Sequence, residues 1–305
     1  MAPLPLPARA LSRTVLAVDV GGSKLAAGLV DEAGALLGSA SAPTPVGGDA
    51  SAVWAALEEV VRSVLGTPEG RRPAACGVGC GGPMAGGGEE VSPLNIPGWR
   101  GFPLRATLAE LTGVDTYVDN DAKALALAEG WRGTAAGRRD YLAMVVSTGV
   151  GGGVVLGGRL LDGRTGNAGH IGHVVVEPEG RACPCGGRGC LEAEASGTAI
   201  AAITGRGAAF APPEIVTRAG TLVGRAVASV CALLDVDFAV VAGSVALGVG
   251  APVFDAAQRE LGARARLDYA TRARIVPSEL GADGPLVGAG AVAFRALEVG
   301  APGAA

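Results

Sequence analysis

Both histidines of the chain and three of its six cysteines fall within one short segment. Ten positions after the second histidine comes the first of these cysteines, in the order H-x9-C-x-C-x4-C. Three thiolates and one imidazole complete the tetrahedral coordination that zinc takes in structural sites. Soft sulfur donors with no open position favour a structural metal over one that activates water. The spacing therefore predicts a structural Zn²⁺ site whose ligands are His173, Cys183, Cys185 and Cys190.

Two further polar residues flank this predicted metal segment. His170 lies close before His173 and is either a surface histidine or a contact to a bound ligand. Glu192 lies just after Cys190, so the metal loop would tether it and its carboxylate could point into a cleft. Both residues are therefore candidates for substrate binding.

Two glycine loops are candidates for binding phosphate. In the first, Asp19 ends an apolar run and is followed by Gly21, Gly22, Ser23 and Lys24. Glycine lets backbone N–H groups approach an anion closely, the carboxylate could hold Mg²⁺, and the serine and lysine could reach phosphate oxygens. The alternative is an ordinary hairpin turn, in a chain that contains 51 glycines.

A second loop of the same kind makes that alternative less favoured. It consists of Ser147, Thr148, Gly149, Val150, Gly151, Gly152 and Gly153. Neither loop has the Walker A spacing, and neither opens a helix as a dinucleotide fingerprint does. We therefore expect two hairpin loops from opposite halves of the chain to hold a nucleotide. Gly243 and Ser244, between a strand and a helix, are a weaker candidate for a wall near the adenosine.

A candidate general base lies where a strand pattern gives way to a helical one. Asp119 or Asp121 could simply cap this helix, since a helix N-terminus favours negative charge. In the functional interpretation, Asp121 takes the proton from a sugar hydroxyl while Asn120 orients the sugar. Asn95, in the proline-stiffened segment PLNIPGW, is another candidate sugar contact. Trp99 in the same segment is either a lid or local packing.

The elements that must position these residues form two similar halves. The segments TVLAVDVGGSKLAAGLVDEAGALLGSAS and YLAMVVSTGVGGGVVLGGRLL each predict an antiparallel meander with a glycine loop at its first corner. Helical patterns follow at 51–65, 121–130, 251–261 and 286–297, and strand patterns at 75–79, 116–118 and 238–242. We expect a duplicated α/β architecture with a cleft between two domains. The small N-terminal domain would cover 1–121, with a C-terminal helix of about 286–299 packed back on it, and the larger domain 122–285, with the zinc loop at 173–190.

Composition excludes several classes of function. A length of 305 residues with 49% hydrophobic residues is enough for two domains. A net charge of −4 and only 4% aromatic residues give no reason to expect nucleic acid as a partner. The start of the chain does not resemble a signal peptide, and the apolar stretch 226–249 is interrupted by Asp235 and Asp237. We expect no membrane span and a cytoplasmic location, with Cys76, Cys80 and Cys231 as small core residues.

Taken together, these motifs resemble the ROK family (repressors, open reading frames, kinases) over nearly the whole chain. DVGGSK and STGVGGG resemble its two phosphate loops, and NIPGW and VDNDAKALALAE its sugar and base segments. GHIGH followed by CPCGGRGCLEAEASG resembles its zinc region. The resemblance implies an actin-like (hexokinase/ribonuclease H-type) two-domain fold, ATP and Mg²⁺ as cofactors, and phosphoryl transfer to a sugar hydroxyl, usually the 6-OH. It also implies a homodimer and sugar contacts at Asn95, Asn120, Asp121, His173 and Glu192.

His170 departs from the usual pattern of the family, because ROK glucokinases have Glu at the corresponding position. The GHIGH form is similar to bacterial N-acetylmannosamine kinases, as is the later GSVAL. A neutral imidazole offers one donor and one acceptor, whereas a carboxylate only accepts, and a donor suits an N-acetyl carbonyl. The sequence therefore favours N-acetylmannosamine as the sugar. A glucokinase and a non-catalytic, sugar-sensing ROK protein are the alternatives.

Overall fold

A computed structural model describes residues 13–45, 47, 49–67 and 72–299 of the chain. Within these residues the chain forms ten strands, arranged in two five-stranded sheets. The strands are β1 (Thr14–Val20), β2 (Lys24–Asp31), β3 (Leu36–Pro43), β4 (Cys76–Cys80), β5 (Thr116–Asn120), β6 (Tyr141–Val146), β7 (Val150–Leu156), β8 (Arg159–Leu160), β9 (Phe238–Ala242) and β10 (Arg274–Pro277).

Nine α-helices cover the two sheets in the described part of the chain. They are α1 (Ala50–Leu65), α2 (Leu104–Thr112), α3 (Asp121–Trp131), α4 (Leu191–Ala195), α5 (Gly197–Thr204), α6 (Pro213–Leu234), α7 (Ser244–Val249), α8 (Ala251–Arg264) and α9 (Gly284–Val299). Short 3-10 turns occur between them, including Ile171–His173 and Ala208–Phe210.

The two sheets have the same topology. The first has the order β3-β2-β1-β4-β5, and the second, written from its other edge, β8-β7-β6-β9-β10. In each sheet the first three strands form an antiparallel meander, and two further strands add in parallel. Parallel pairing requires crossover connections, which the helices supply. The duplication predicted from the two glycine-cornered meanders is therefore present in the fold.

Each predicted meander turns where its glycines lie. The β1–β2 corner is closed by a backbone hydrogen bond from Gly21 N to Lys24 O (3.0 Å), and the β6–β7 corner by one from Ser147 N to Gly149 O (2.9 Å). Gly157 and Gly158 form the β7–β8 turn, both with positive φ, a conformation that glycine adopts without strain. A turn at Glu32–Gly34 links β2 to β3.

Helix α1 shows how the sequence pattern produces a helix with one buried face. Asp49 caps its N-terminus, accepting a hydrogen bond from Ala52 N at 2.9 Å. Its buried residues recur at helical spacing, within the helical pattern predicted at 51–65: Val53, Leu57, Val60, Val61 and Val64. They pack on one face of the first sheet with the side chains of β1, β2 and β4. The buried positions of Cys76, Cys80 and Cys231 also confirm their prediction as core residues.

Helix α9, the last described element, packs on the other face of the first sheet. It contacts β1, β4 and helix α3. Glycines permit this close approach. If Gly77 of β4 carried a side chain, its Cβ atom would clash with Ala289 and Ala293, and a Cβ atom added at Gly288 would lie 2.7 Å from Ala124 O of α3. Helix α9 therefore covers a face of the N-terminal sheet, and the predicted division into domains at residue 121 stays a prediction.

Helix α3 lies between the two halves. It packs on β6 and β7 of the second sheet and on β4 and α9 of the first half. Nearly all of its small side chains are buried, as a helix covered on several sides requires. The start of α3 therefore lies where the two halves meet, and this is where Asp121 was predicted to act.

Helix α6 is long and apolar enough to cross a membrane by length and composition. More than half of its most apolar window (56%) is buried inside the protein, against the side chains of the second core. It therefore has the surroundings of a core helix. It ends at Asp235, whose backbone adopts the left-handed conformation with φ 54°.

Candidate functional site

The four predicted zinc ligands come together in one cluster. The ligand atoms of His173, Cys183, Cys185 and Cys190 all lie within 4.8 Å of one another. The distance from Cys183 Sγ to His173 Nδ1 is 3.7 Å, and that from Cys185 Sγ to Cys190 Sγ is 3.8 Å. With Zn–S bonds of about 2.3 Å, two sulfurs on a tetrahedral ion are separated by about 3.8 Å. The donor set and its spacing therefore fit a tetrahedral Zn²⁺ ion.

The chemistry of the thiols also fits a bound cation. Burial, followed by the hydrogen bonds of the neighbouring thiols, raises the pKa of Cys190 to about 12. Burial also raises the pKa of Cys183. Thiols this close together are unfavourable as a set of bare thiolates, and a divalent cation removes that penalty.

The β5–α3 junction carries the predicted base. Asn120 is the N-cap of α3, and its Oδ1 accepts a hydrogen bond from Ala122 N at 3.0 Å. Asp121 is the first helical residue, and its Oδ1 accepts from the same N–H at 2.8 Å. Neither Asp119 nor Asp121 is the capping residue that the alternative interpretation required. One oxygen of Asp121 is held by the backbone, so the carboxylate has a fixed orientation and a second oxygen for a substrate hydroxyl.

Asp19 and Asp121 face each other across β4. A Cβ at Gly79 would lie 3.6 Å from the Cα of Asp121 and 3.8 Å from the Oδ1 of Asp19. Burial and the neighbouring Asp121 carboxylate raise the pKa of Asp19 to about 7, against a smaller opposing effect of Lys24. Burial, with a contribution from Glu192, also raises the pKa of Asp121. Two carboxyls with raised pKa values in one recess are typical of a functional site that binds a cation or moves a proton.

The first glycine loop touches the segment that contains Asn95. A Cβ at Gly22 would lie 2.7 Å from the Cβ of Asn95, and one at Gly81 would lie 3.3 Å from its Oδ1. Ser23 and Lys24 are exposed beside this contact. The structure thus brings the predicted phosphate loop and the predicted sugar residue together.

The second glycine loop is shorter than predicted. Only Ser147, Thr148 and Gly149 form the turn, whereas Gly151 and Gly152 are already residues of β7. A Cβ at Gly151 would meet Ala122 of α3 at 2.9 Å, and one at Gly152 would meet Ile171 at 2.9 Å. These two glycines therefore permit close packing, and their predicted contact with phosphate is not needed to explain them.

Helices α5 and α7 begin at this second loop. Gly197 N donates to Ser147 O at 2.7 Å, and the hydroxyl of Thr198 donates to Thr148 O at 2.9 Å. The hydroxyls of Ser147 and Ser244 lie 2.9 Å apart. Gly243 has a φ of 101° and lies against the backbone of Val146, which leaves no room for a side chain. The predicted third wall at Gly243–Ser244 thus lies directly beside the second glycine loop.

His170 comes close to the base segment. A Cβ at Gly82 would lie 3.4 Å from His170 Cε1 and 3.5 Å from Asn120 Nδ2. His170 is half-buried, and burial, together with His173, lowers the pKa of His170, so the imidazole is neutral at pH 7. The predicted sugar contacts Asn95, Asn120 and His170 therefore surround the Gly81–Gly82 turn after β4.

The interpretation of Trp99 as a lid is wrong. Trp99 is fully buried, stacks on Phe102 with a centroid distance of 4.2 Å, and donates through Nε1 to Ala50 O at 3.2 Å. Its neighbour Arg100 donates through Nη1 to the carbonyls of Pro93, Ile96 and Trp99. The tryptophan anchors the segment that carries Asn95, and the arginine holds its shape.

Sequence reasoning missed Lys123, the third residue of α3. Only 2% of its side chain is exposed, and its Nζ lies 2.9 Å from Asp119 and 2.8 Å from Asp162. In the sequence it stands in a good helix-forming segment, where a lysine is normally on the solvated face. Its position two residues after Asp121 was the one available signal.

Known proteins share both the sequence pattern and the fold. A family model described as "ROK family" matches residues 15–296. An N-acetylmannosamine kinase of Citrobacter koseri is 38% identical over 252 residues, covering 78% of this chain and 85% of that protein. One from Escherichia fergusonii is 37% identical over 253 residues, with the same coverage.

Solved structures agree with this match. A ROK hexokinase from Thermus thermophilus superposes with a TM-score of 0.81 at 35% identity, covering 94% of this chain and 100% of that one. A ROK family glucokinase from Streptomyces griseus, in complex with glucose and AMPPNP, has a TM-score of 0.78 at 27% identity, covering 92% and 99%. The predicted α/β, actin-like fold is confirmed. The chain belongs to the ROK family.

Proposed function

We propose that this protein is an ATP-dependent sugar kinase that phosphorylates the 6-hydroxyl of N-acetylmannosamine. The observation that carries the proposal is the position of Asp121, at the start of a helix between the two glycine loops and next to Asn120, which itself lies near His170. The enzyme class predicted from the sequence, a ROK-type sugar kinase, is confirmed by the relatives and solved structures.

Asp121 acts as the general base. The oxygen of the sugar hydroxyl attacks the γ-phosphorus of ATP, and the hydroxyl proton passes to Asp121. The new O–P bond forms as the bond between the γ-phosphorus and the ADP oxygen breaks. A raised pKa suits this role, since a base works best when its pKa lies near the working pH. The hydrogen bond from Ala122 N fixes the carboxylate so that its other oxygen can meet the hydroxyl.

The two glycine loops hold the nucleotide. The 21–24 and 147–149 turns would offer backbone N–H donors to phosphate oxygens, other than those of Gly21 and Ser147, which close the two turns. Asp19 would hold the Mg²⁺ that accompanies ATP and, when bound, neutralises charge on the phosphates. Ser244, in contact with Ser147, would line the adenosine side.

Two observations favour N-acetylmannosamine over glucose. Several relatives at 37–38% identity are named N-acetylmannosamine kinases. In addition, His170 is neutral and adjoins Asn120, so its ring can donate one hydrogen bond and accept another. Glucokinase is the second candidate, because the Streptomyces griseus relative of the same fold was solved with glucose.

The metal site has a structural role in this proposal. His173, Cys183, Cys185 and Cys190 would hold Zn²⁺ and so fix the loop that leads into α4, which carries Glu192. His173 turns Nδ1 to the thiols, so its other ring nitrogen is available for the predicted sugar contact. We further propose a cytoplasmic homodimer with a small domain over 1–121 and a large domain over 122–285, and without a nucleic-acid or membrane partner.

A coupled assay of ADP release over a panel of sugars tests the function. The panel contains N-acetylmannosamine, N-acetylglucosamine, glucose and mannose, each with Mg²⁺ and ATP. We expect the highest kcat/KM for N-acetylmannosamine. Highest kcat/KM for glucose would make the protein a glucokinase. No turnover with any sugar, together with saturable sugar binding by calorimetry, would support the sugar-sensing alternative instead.

A further inference from the structure

Lys123 is a buried cation that the proposed reaction does not use. Its Nζ donates to Gly166 O at 3.0 Å and lies within 2.9 Å of the carboxylates of Asp119 and Asp162. Burying a lysine without partners is very costly, so three close acceptors indicate a built arrangement. Lys123 therefore connects α3 to the segment that contains Asp162 and Gly166.

Arg295 of α9 completes the arrangement. It lies 2.8 Å from Asp162 and 3.9 Å from Asp119. Two cations and two carboxylates then balance in charge, which satisfies the requirement for a buried ionic group. Asp119 and Arg295 belong to the first half of the molecule, while Asp162 belongs to the second half, after β8. The network therefore joins the two halves of the molecule at the N-terminal end of α3.

The 162–168 segment, which follows β8, is held at several points. Its own ends are joined by the hydrogen bond from Ala168 N to Asp162 O at 3.1 Å. Lys123 holds it at Gly166, and Asn167 Nδ2 lies 3.4 Å from Met84 O, in the loop after β4. A segment that belongs to the second half is thus attached to α3, to α9 and to the loop after β4.

The residues that follow this segment enter the candidate site. His170 is two positions beyond Ala168 and lies against Gly82, next to Asn120. A cross-link that fixes the 162–168 segment therefore fixes the direction from which His170 approaches. Small displacements of a substrate-contacting group have large effects on rate and binding.

We propose that Lys123 is a positioning residue for the sugar site: by holding the 162–168 segment on the first half, it keeps His170 beside Asn120. This inference rests on the proposed function for its effect on sugar. The attachment itself is independent of that function, so its test includes a measurement that needs no activity.

Two variants loosen the same segment from different sides. Lys123→Met removes the cation, and Asp162→Ala removes its half-exposed partner on the segment. We expect both to raise the KM for the sugar by about tenfold or more while changing the KM for ATP by less than about twofold. The preference between N-acetylmannosamine and glucose should weaken in both.

Arg139→Met is the matched control. Arg139 also donates to a glycine carbonyl of the second half, that of Gly157 at 2.7 Å, but it holds the β7–β8 turn. We expect this variant to leave both KM values unchanged. An equal rise of both KM values in Lys123→Met and Asp162→Ala would show a general structural role and overturn the proposal.

Amide hydrogen exchange of full-length protein separates this inference from the proposed function. Peptides that cover the 162–168 segment should exchange faster in Lys123→Met and Asp162→Ala than in the wild type, with or without sugar. If wild-type protein phosphorylates no sugar but exchange rises as expected, the proposed function fails and the attachment stands. If exchange of this segment is unchanged in both variants, the attachment fails even in an active kinase.

Discussion

Glu192 Oε2 accepts a hydrogen bond from the backbone N–H of Val150 at 2.9 Å. The carboxylate that was predicted to point into the cleft is therefore bound to the end of the second glycine loop. A Cβ at Gly149 would lie only 2.7 Å from the same oxygen, so the contact is tight. Since α4 begins directly after Cys190, this bond joins the loop of the proposed metal ligands to the proposed nucleotide loop. A change at the proposed metal site should consequently alter the binding of both the sugar and ATP.

Replacing the base should separate binding from chemistry. In Asp121→Asn we expect sugar binding within about threefold of wild type and a kcat lower by about 10²–10⁴, the usual contribution of a general base. The amide keeps the shape of the side chain but cannot accept the hydroxyl proton. Calorimetry measures the first quantity, and the coupled assay measures the second.

Asp115→Asn is the matched control, because Asp115 is an exposed carboxylate just before β5, the strand that leads to Asp121. It should retain wild-type kcat. If Asp121→Asn keeps more than a tenth of the wild-type rate, Asp121 is not the base.

Loss of one metal ligand should lower stability and sugar affinity together. In Cys185→Ser we expect zinc content well below one ion per chain and a lower Tm, because binding of a structural metal contributes to the free energy of folding. The KM for the sugar should rise as well, since Glu192 lies just beyond the metal loop. Atomic absorption and thermal unfolding measure these effects.

Cys231→Ala removes a buried thiol of α6, remote from the cluster. It should cost some stability through packing but keep full zinc content. Purified, folded wild-type protein without zinc would contradict the assignment of the site.

His170 should set the preference between sugars. In His170→Glu we expect the ratio of kcat/KM for N-acetylmannosamine to that for glucose to fall by about tenfold or more, as one lost hydrogen bond of about 1.4 kcal/mol implies. A carboxylate only accepts, so it cannot donate to the N-acetyl carbonyl. His170→Gln retains one donor and one acceptor and should keep most of the preference. An equal ratio in wild type and His170→Glu would remove His170 from the specificity argument.

The raised pKa of Asp19 predicts a pH dependence. Between its ordinary value of 3.8 and its folded value of about 7, the folded protein holds a proton that the unfolded chain has lost. The contribution of Asp19 to the free energy of unfolding is therefore largest below about pH 4 and is lost as the pH rises through about 7. Asp19→Asn should remove this loss, so that the variant gains stability relative to wild type between pH 5 and pH 8.

Urea unfolding at these two pH values, without added magnesium, measures the effect. The pKa of Asp121 is also raised and this residue remains in both proteins, so the difference reports Asp19 together with its interaction with Asp121. In the active enzyme, Mg²⁺ favours the ionised carboxylate, and we expect the KM for Mg·ATP to fall as the pH rises through about 7. A difference in stability that is the same at pH 5 and pH 8 would contradict the raised pKa.

The parts of the fold that the sequence predicted are those with local causes. The two meanders could be located because their corners need glycine, and α1 because its apolar residues repeat at helical spacing. The strand β9 was predicted with the observed bounds, Phe238–Ala242. The four side chains that cluster at 173–190 could all be named from the sequence, since they are close in sequence and of a rare type, while the zinc ion itself stays a proposal.

What the sequence did not predict depends on contacts between distant segments. Helix α2 and strand β10 are short and were not identified. Helix α6 was not predicted either, and its last turns were noted only as the start of an apolar stretch that runs on into β9. The burial of Lys123 could not be predicted, because its partner Asp119 four positions before it does not by itself imply burial, and its other partner Asp162 lies 39 positions away. The orientation of Glu192 towards Val150 likewise follows from the packing of α4 on the second sheet.

The position of α9 has a consequence for synthesis of the chain. All strands of the first sheet have been synthesised once residue 120 is reached, yet one face of this sheet is covered by α9, which is synthesised after the second half. During translation this face, which includes Val15, Ala17 and Val30, stays uncovered until the second half and then α9 have been synthesised. The N-terminal half is therefore the last to reach its final packing. Removal of the residues beyond 283 would leave an apolar face of the first sheet exposed, and we expect such a chain to aggregate rather than to form a shorter enzyme.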